Sequence, residues 1–196
     1  MFVITGSPGV GKHTVAKTVA ERLDLELIDI NTVAMKSSAI IARDEISYVV
    51  DPKKLARALR KEIRTKTTKK KKNCLVVGHL APYVLSRRDP EMVVVIRRSP
   101  YELRRVYARR GYDGQKIRDN MTSEIIGILV FDAVKKFGKD KVVEVDCTAK
   151  KPKRVADEII SMVKRRQKGS LGSIDWLSLV AGRGELQKFF DYNPGG

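Results

Sequence analysis

Five short apolar runs punctuate the chain: Phe2-Val3-Ile4-Thr5, Leu25 to Ile30, Cys74-Leu75-Val76-Val77-Gly78, Met92-Val93-Val94-Val95-Ile96 and Lys141 to Val145. Their length and β-branched content predict buried strands. Between them, apolar residues recur at helical spacing. Val15, Ala16, Val19, Ala20 and Leu23 form one such face, and Leu55, Leu59 and Ile63 another. Ile117, Met121, Ile125, Ile128 and Leu129 predict one longer helix, and Val155, Ala156, Ile159, Ile160 and Val163 the inward side of a last sheet-covering helix starting near Pro152. Near-continuous apolar strands alternating with helices imply a five-stranded parallel sheet covered on both faces, a three-layer α/β architecture.

Local signals set the boundaries. Asn31-Thr32 is read as the cap of a segment carrying Val33, Ala34, Met35, Ile40 and Ile41. Asp51-Pro52 opens a helix with aspartate as N-cap, and Ser99-Pro100-Tyr101-Glu102 has the residues of a capping box. Gly111-Tyr112-Asp113-Gly114 breaks the arginine-rich helix that follows, and Lys69 to Lys72 reads as a solvated loop with RNA contact as the alternative. Gln167 to Ser173 has linker composition. Beyond it Ile174, Trp176, Leu177, Leu186, Phe189, Phe190 and Tyr192 are too apolar for a disordered tail, so the segment is expected to dock on its own core or on a partner, with Pro194-Gly195-Gly196 fraying. The division expected is 1–166 as one nucleotide-binding body and 167–196 as linker and docking tail.

A length of 196 residues suits one α/β domain with a tail. The formal net charge of +17 favours phosphate-bearing partners, free nucleotide or RNA, without separating these from a membrane surface or simple solubility. Cys74 and Cys147 lie in apolar runs without ligand spacing and read as buried strand residues, not a metal site or a disulfide. No apolar run approaches a bilayer-spanning length and no leader pattern is present, so the chain reads as cytoplasmic with no membrane partner.

Chemistry concentrates in Gly6-Ser7-Pro8-Gly9-Val10-Gly11-Lys12-His13-Thr14, set between the first strand and the first helix. Glycines there let successive N–H groups point inward, and the helix N-terminus adds positive potential, so the loop cradles a polyphosphate with Lys12 reaching its β- and γ-phosphates. The fold expected is therefore of the P-loop NTPase type. His13 stands where Ser or Thr usually follows the lysine; Mg²⁺ prefers hard oxygens, so His13 is assigned packing or phosphate contact. Arg104, Arg105, Arg109 and Arg110, followed by the glycine break, read as a short lid at about 109–119 whose arginines neutralise a transferring phosphoryl group, or as an arginine-rich helix facing solvent.

Pro8-Gly9-Val10-Gly11-Lys12 with Thr14 resembles the adenylate kinase form of the loop. Gly78-His79-Leu80, Arg110-Gly111-Tyr112 with Lys116-Ile117, Asn120 and Glu124-Ile125, Glu144-Val145-Asp146 with Thr148, and Ile174-Asp175-Trp176 extend the match over nearly the whole chain. On these residues the sequence is similar to the adenylate kinase isoenzyme 6 family, the adenylate-kinase-like ATPases of small ribosomal subunit assembly, in its archaeal form. The resemblance implies a nucleoside monophosphate kinase-like fold with a short lid. It also implies conversion of ATP and AMP to two ADP together with ATP hydrolysis, Mg²⁺ as cofactor, and partnership with a small-subunit platform ribosomal protein and small-subunit rRNA. It implies nucleotide contacts at Gly9, Gly11, Lys12, His13, Thr14, Arg110, Asp146 and Thr148, with Asp146 to Lys150 bordering adenine and 30–51 covering the monophosphate. Lys12, His79 and Arg110 would be catalytic, His79 having the alternative of a structural histidine at a strand end. One further departure is Val77, where the family normally carries an acid that orders magnesium through water; Asp29 with Thr14 is the nearest candidate to hold the metal. Two other readings stay open: a housekeeping nucleoside monophosphate kinase, and a nucleotide-bound chaperone for a ribosomal protein with little turnover.

Overall fold

The computed structural model describes residues 1–43, 48–70 and 72–190. Lys71, Tyr192, Pro194-Gly195-Gly196 and positions 44–47 of the expected monophosphate segment lie outside them. The elements run β1 (Phe2–Gly6), α1 (Lys12–Arg22), β2 (Glu26–Asp29), α2 (Ile30–Lys36), β3 (Ile40–Arg43), β4 (Tyr48–Val50), α3 (Pro52–Lys70), β5 (Cys74–Val77), α4 (Ala81–Val84), β6 (Met92–Arg97), α5 (Pro100–Arg109), α6 (Gly114–Ile125), α7 (Ile128–Phe137), β7 (Val142–Asp146), α8 (Pro152–Lys164) and α9 (Trp176–Gly182).

All five predicted strands pair in parallel in the order β2-β5-β1-β6-β7, with β3 and β4 forming a separate antiparallel ribbon. Strand alternation divides the core. Ile4, Leu75, Val77, Val94, Ile96, Val143 and Val145 face α1, α5, α6, α8 and α9. Val3, Cys74, Val76, Val93, Val95 and Val142 face α2, α3, α4 and α7. This is the two-sided burial that a parallel sheet requires. From central β1 the chain leaves first toward β2 and later toward β6, so the switch in direction falls at the carboxyl end of β1, where such sheets open a ligand crevice.

Several local expectations are corrected. The helix after β2 is capped by Asp29, whose Oδ1 accepts from the N–H groups of Asn31 and Thr32, and not by Asn31 or Thr32 themselves. Ile40 and Ile41 belong to a strand, not to the preceding helix. The capping box does not form, because Glu102 is drawn instead to Arg98 Nε at 2.7 Å and to the Ala149 N–H at 3.0 Å. Gly127, at φ 70°, divides the long predicted helix into α6 and α7. The basic run expected as a loop begins inside α3, which continues to Lys70. Cys147 is buried just beyond β7 and its thiol donates to the Val10 carbonyl oxygen at 3.3 Å.

The linker-like segment is a strap along the edge of β7. Ser170 bridges Val143 in parallel, its N–H meeting the Val142 carbonyl and its carbonyl the Glu144 N–H. The strap delivers α9 to the chain's own core, where Trp176, Val180 and Phe189 are buried.

Candidate functional site

The loop between β1 and α1 is shaped by two left-handed glycines, Gly9 at φ 86° and Gly11 at φ 90°. Gly11 is the N-cap of α1 with no side chain to satisfy the first helical N–H groups, and a Cβ there would meet nothing within 4 Å. Open space thus lies against donor groups at a positive helix end, the arrangement that receives an anion. Gly9 is fixed from above by α5. A Cβ there would stand 2.9 Å from Tyr107 Cε1, and the Tyr107 hydroxyl donates to the Pro8 carbonyl at 2.7 Å.

Lys12 opens α1 and is buried, yet among the described residues its ammonium hydrogen-bonds only the Ser7 carbonyl oxygen, at 3.3 Å. Burial, reinforced by the charge of Arg110, pulls its pKa down to about 8 against smaller support from Asp29 and Glu124. His79, just beyond β5, is pushed down to about 4 by burial and by the charges of Lys12 and His13, so it is a neutral imidazole at physiological pH. His13 is lowered as well, again mainly by burial, with Asp29 opposing. Lys12 and His13 thus lie in the field of Arg110, and His79 in that of Lys12 and His13, so the positive charge beside the loop comes from Lys12 and Arg110. Arg110 caps the end of α5 and is exposed.

Hard-oxygen donors are few. Asp29, beside Val77 in the β2–β5 register, spends Oδ1 on the α2 cap and directs Oδ2 toward His13 Nδ1 at 3.5 Å. Thr14 is exposed on the first turn of α1. No cluster of three His, Cys, Asp or Glu able to hold a metal occurs among the described residues. That donor set fits a magnesium ion carried in with phosphates, which needs only one or two protein oxygens. Thr14 and Asp29 would supply them.

On the other side of the loop, the Asp146 to Lys150 segment packs against it through the Cys147–Val10 contact. Asp146 Oδ1 accepts from the Thr148 N–H at 2.8 Å, and Thr148 Oγ1 accepts from the Ser99 N–H at 2.8 Å, so both side chains shape the loop that they stand in. Tyr112 stacks on Tyr107 with ring centroids 5.5 Å apart, and Lys116 lies over Tyr112, which ties the region read as a lid to the glycine loop.

Sequence reasoning missed the buried network behind the loop. Ser7 Oγ donates to Glu124 Oε2; Glu124 Oε1 accepts from Arg97 Nε at 2.7 Å; Arg97 Nη1 reaches Glu144 Oε1 at 2.8 Å; and Glu144 Oε2 accepts from the Gly172 N–H at 2.9 Å. The chain of contacts runs from the loop through α6, β6 and β7 to the strap. A signal was present in two of the three elements: Arg97 is the single charge of β6 and Glu144 interrupts the valines of β7, whereas Glu124 lies in a polar helix that does not set it apart.

Comparison with known proteins agrees with this geometry. A family model described as an AAA domain matches residues 3–127, more than half of the chain. The chain is 30% identical over 193 residues to a Methanocaldococcus jannaschii protein named "Putative adenylate kinase", covering 97% of this chain and 96% of that one. It is 32% identical over 177 residues to a Pyrococcus furiosus protein of the same name, covering 90% and 91%. A solved structure of an uncharacterized protein from Eubacterium ventriosum superposes with a TM-score of 0.54 at 19% identity over 84% of this chain and 97% of that one, a likeness of fold. With the loop, the sheet order and the relatives in agreement, the chain belongs to the AAA-domain family and to the adenylate-kinase-like family of these archaeal relatives.

Proposed function

We propose that this protein is an adenylate-kinase-like phosphotransferase and ATPase, converting ATP and AMP to two ADP and hydrolysing ATP, that serves small ribosomal subunit maturation beside a platform ribosomal protein and rRNA. The observation that carries the nucleotide part is Lys12: a buried ammonium whose one hydrogen-bond partner among the described residues is a carbonyl, under the added field of Arg110, is a site short of one polyanion. The names of the archaeal relatives support the adenylate kinase reading, and the basic charge supports work beside RNA.

In this reading the β- and γ-phosphates lie across the N–H groups of the Gly9–Gly11 turn, with Lys12 on their oxygens and His13 at their edge. AMP occupies the side on which the described parts of 30–51 lie, adenine of ATP borders Asp146 and Thr148, and Arg110 closes from the lid onto the transferring group. His79, held neutral, orients the attacking group or water by hydrogen bonding instead of adding charge. Magnesium, when bound by Thr14 and Asp29, supplies neutralisation of the β- and γ-oxygens. Turnover without this help is slow, since Val77 is apolar and Asp29 is half committed to a cap. Those same two residues favour a second reading, a nucleotide-bound chaperone for a ribosomal protein.

The test is ATP hydrolysis and AMP phosphorylation with and without Mg²⁺, each repeated with small-subunit RNA and the platform ribosomal protein. Slow hydrolysis that changes on their addition is the expected result. Fast AMP-dependent ADP formation indifferent to them makes the protein a metabolic kinase, and tight ATP binding without turnover makes it the chaperone. Lys12→Ala abolishes ATP binding while leaving the fold intact; normal ATP binding by that variant overturns the site.

A further inference from the structure

Helix α3 carries nine lysines and arginines and a single acid, Glu62. At 100° per residue, Lys53, Arg57, Arg60, Lys61 and Arg64 fall within an arc of about 100°. All five are exposed, and among the described residues none of their side chains makes an ion pair or hydrogen bond. Glu62 lies on another side and faces Lys66 at 3.4 Å. The row rises over about 16 Å, comparable to roughly five phosphates along one nucleic-acid strand.

The row is electrostatically unfavourable to the helix that bears it. Lys53–Arg57, Arg57–Lys61 and Arg60–Arg64 are like-charge neighbours at four-residue spacing. Lys53 and Lys54 also sit at the positive end of the helix, where no acid occupies the first turn and only the Asp51 cap offsets them. Local rules broken in one direction along one face point to a role outside the fold.

We propose that this face of α3 is the surface on which the protein holds the phosphate backbone of RNA. A membrane suits it poorly: the helix's apolar face, Leu55 and Leu59, is sealed in the core, and the exposed row has no large apolar residue to insert. An unpaired row at regular helical spacing matches a regular polyanion. The inference rests on the part of the proposed function that sets the protein beside RNA, and it names the surface responsible.

The experiment measures binding of the full chain to a fluorescein-labelled RNA hairpin of about 20 base pairs between about 50 and 300 mM KCl. One variant is Arg57→Gln/Arg60→Gln/Arg64→Gln. The other, Lys153→Gln/Arg154→Gln/Lys164→Gln, removes the same charge from exposed positions of α8. The row variant is expected to lose about tenfold or more in affinity near 100 mM KCl, and its slope of log affinity against log salt to shallow by about 2 to 3. The α8 variant stays within about threefold. Both keep wild-type ATP binding, and the row variant keeps or raises its Tm, which certifies the fold. Equal losses in both variants, or an undiminished row variant, overturn the surface while leaving RNA binding in place. Failure of the wild-type chain to bind RNA, whether or not it binds phosphatidylserine vesicles or a poly-glutamate peptide instead, overturns both the surface and the RNA part of the function.

Discussion

Removal of the Glu124 carboxylate is the sharpest available perturbation of the region behind the loop. Its two oxygens accept from Ser7 Oγ, from Arg97 Nε at 2.7 Å and from the Arg98 N–H at 3.2 Å, in a position 2% exposed. Glu124→Ala strands these donors and leaves Arg97 with Glu144 as its one carboxylate partner. Breaking a buried ion pair from one side costs about 3–5 kcal/mol. For a chain of this size about 1 kcal/mol corresponds to about 2–4 °C in Tm, so a fall of about 6–20 °C is expected. Glu124→Gln keeps the shape and one acceptor and loses the charge, about 2 kcal/mol and about 4–8 °C. Arg97→Met is the most damaging of the three, because it leaves Glu124 and Glu144 buried without their shared cation. Thermal unfolding of the three variants decides. A loss under about 3 °C for Glu124→Ala, or an Arg97→Met variant milder than Glu124→Gln, refutes the view that these charges are one buried unit.

The low pKa of Lys12, about 8, predicts the pH dependence of nucleotide affinity. The free site carries its ammonium below that pH and loses it above, while a bound polyphosphate holds the proton. ATP affinity at fixed Mg²⁺ therefore falls by up to about tenfold per unit above about pH 8, with proton uptake on binding visible by calorimetry in two buffers; a flat profile from about pH 7 to 9.5 is the contrary result. Gly169→Ala tests the strap, since its Cβ would stand 1.8 Å from the Lys139 carbonyl oxygen, which the backbone cannot accommodate in place. Limited proteolysis within 166–173 should accelerate at least about tenfold through local opening, with a red-shifted Trp176 emission; unchanged protection shows that the strap is not held against β7.

The glycine loop was legible because its motif is local, nine positions between a strand and a helix that declare themselves by period, although Tyr107, Glu124 and Cys147, which brace it from elsewhere in the chain, were not. Four of the five strands were legible by their near-continuous apolar runs, and β2, an edge strand with Glu26 and Asp29 and only Ile28 buried, by the shorter Leu25 to Ile30 run. Legibility failed where two local signals competed for one residue. Glu102 has the spacing of a capping box, but Arg98 one helical turn back and the Ala149 N–H across the loop both reach it. The apolar rhythm from Met121 to Leu129 runs through Gly127 unbroken, and only the left-handed backbone there reveals two helices. Arg97, Glu124 and Glu144 lie in three segments, so their pairing is a product of topology that no spacing encodes.

The same topology explains why the proposed loop site would attract an anion. Each acid near it is already engaged: Glu124 and Glu144 with Arg97, Glu102 with Arg98, Asp29 with the α2 cap, and Asp146 with the Thr148 N–H. Among the described residues Lys12 and Arg110 have no such dedicated carboxylate. Lys12 meets a carbonyl, and the charge of Arg110 falls on Lys12 and His13. The field left over is positive where the helix N-terminus opens, and a polyanion is its natural complement. In the proposed function metal-assisted transfer would rest on Thr14 and on Asp29, whose Oδ1 caps α2 and whose Oδ2 lies 3.5 Å from His13 Nδ1, beside Val77. Lys12 and Arg110 serve both binding and transfer in that function, so Asp29 is the residue whose change would slow transfer while leaving the phosphate cradle in place.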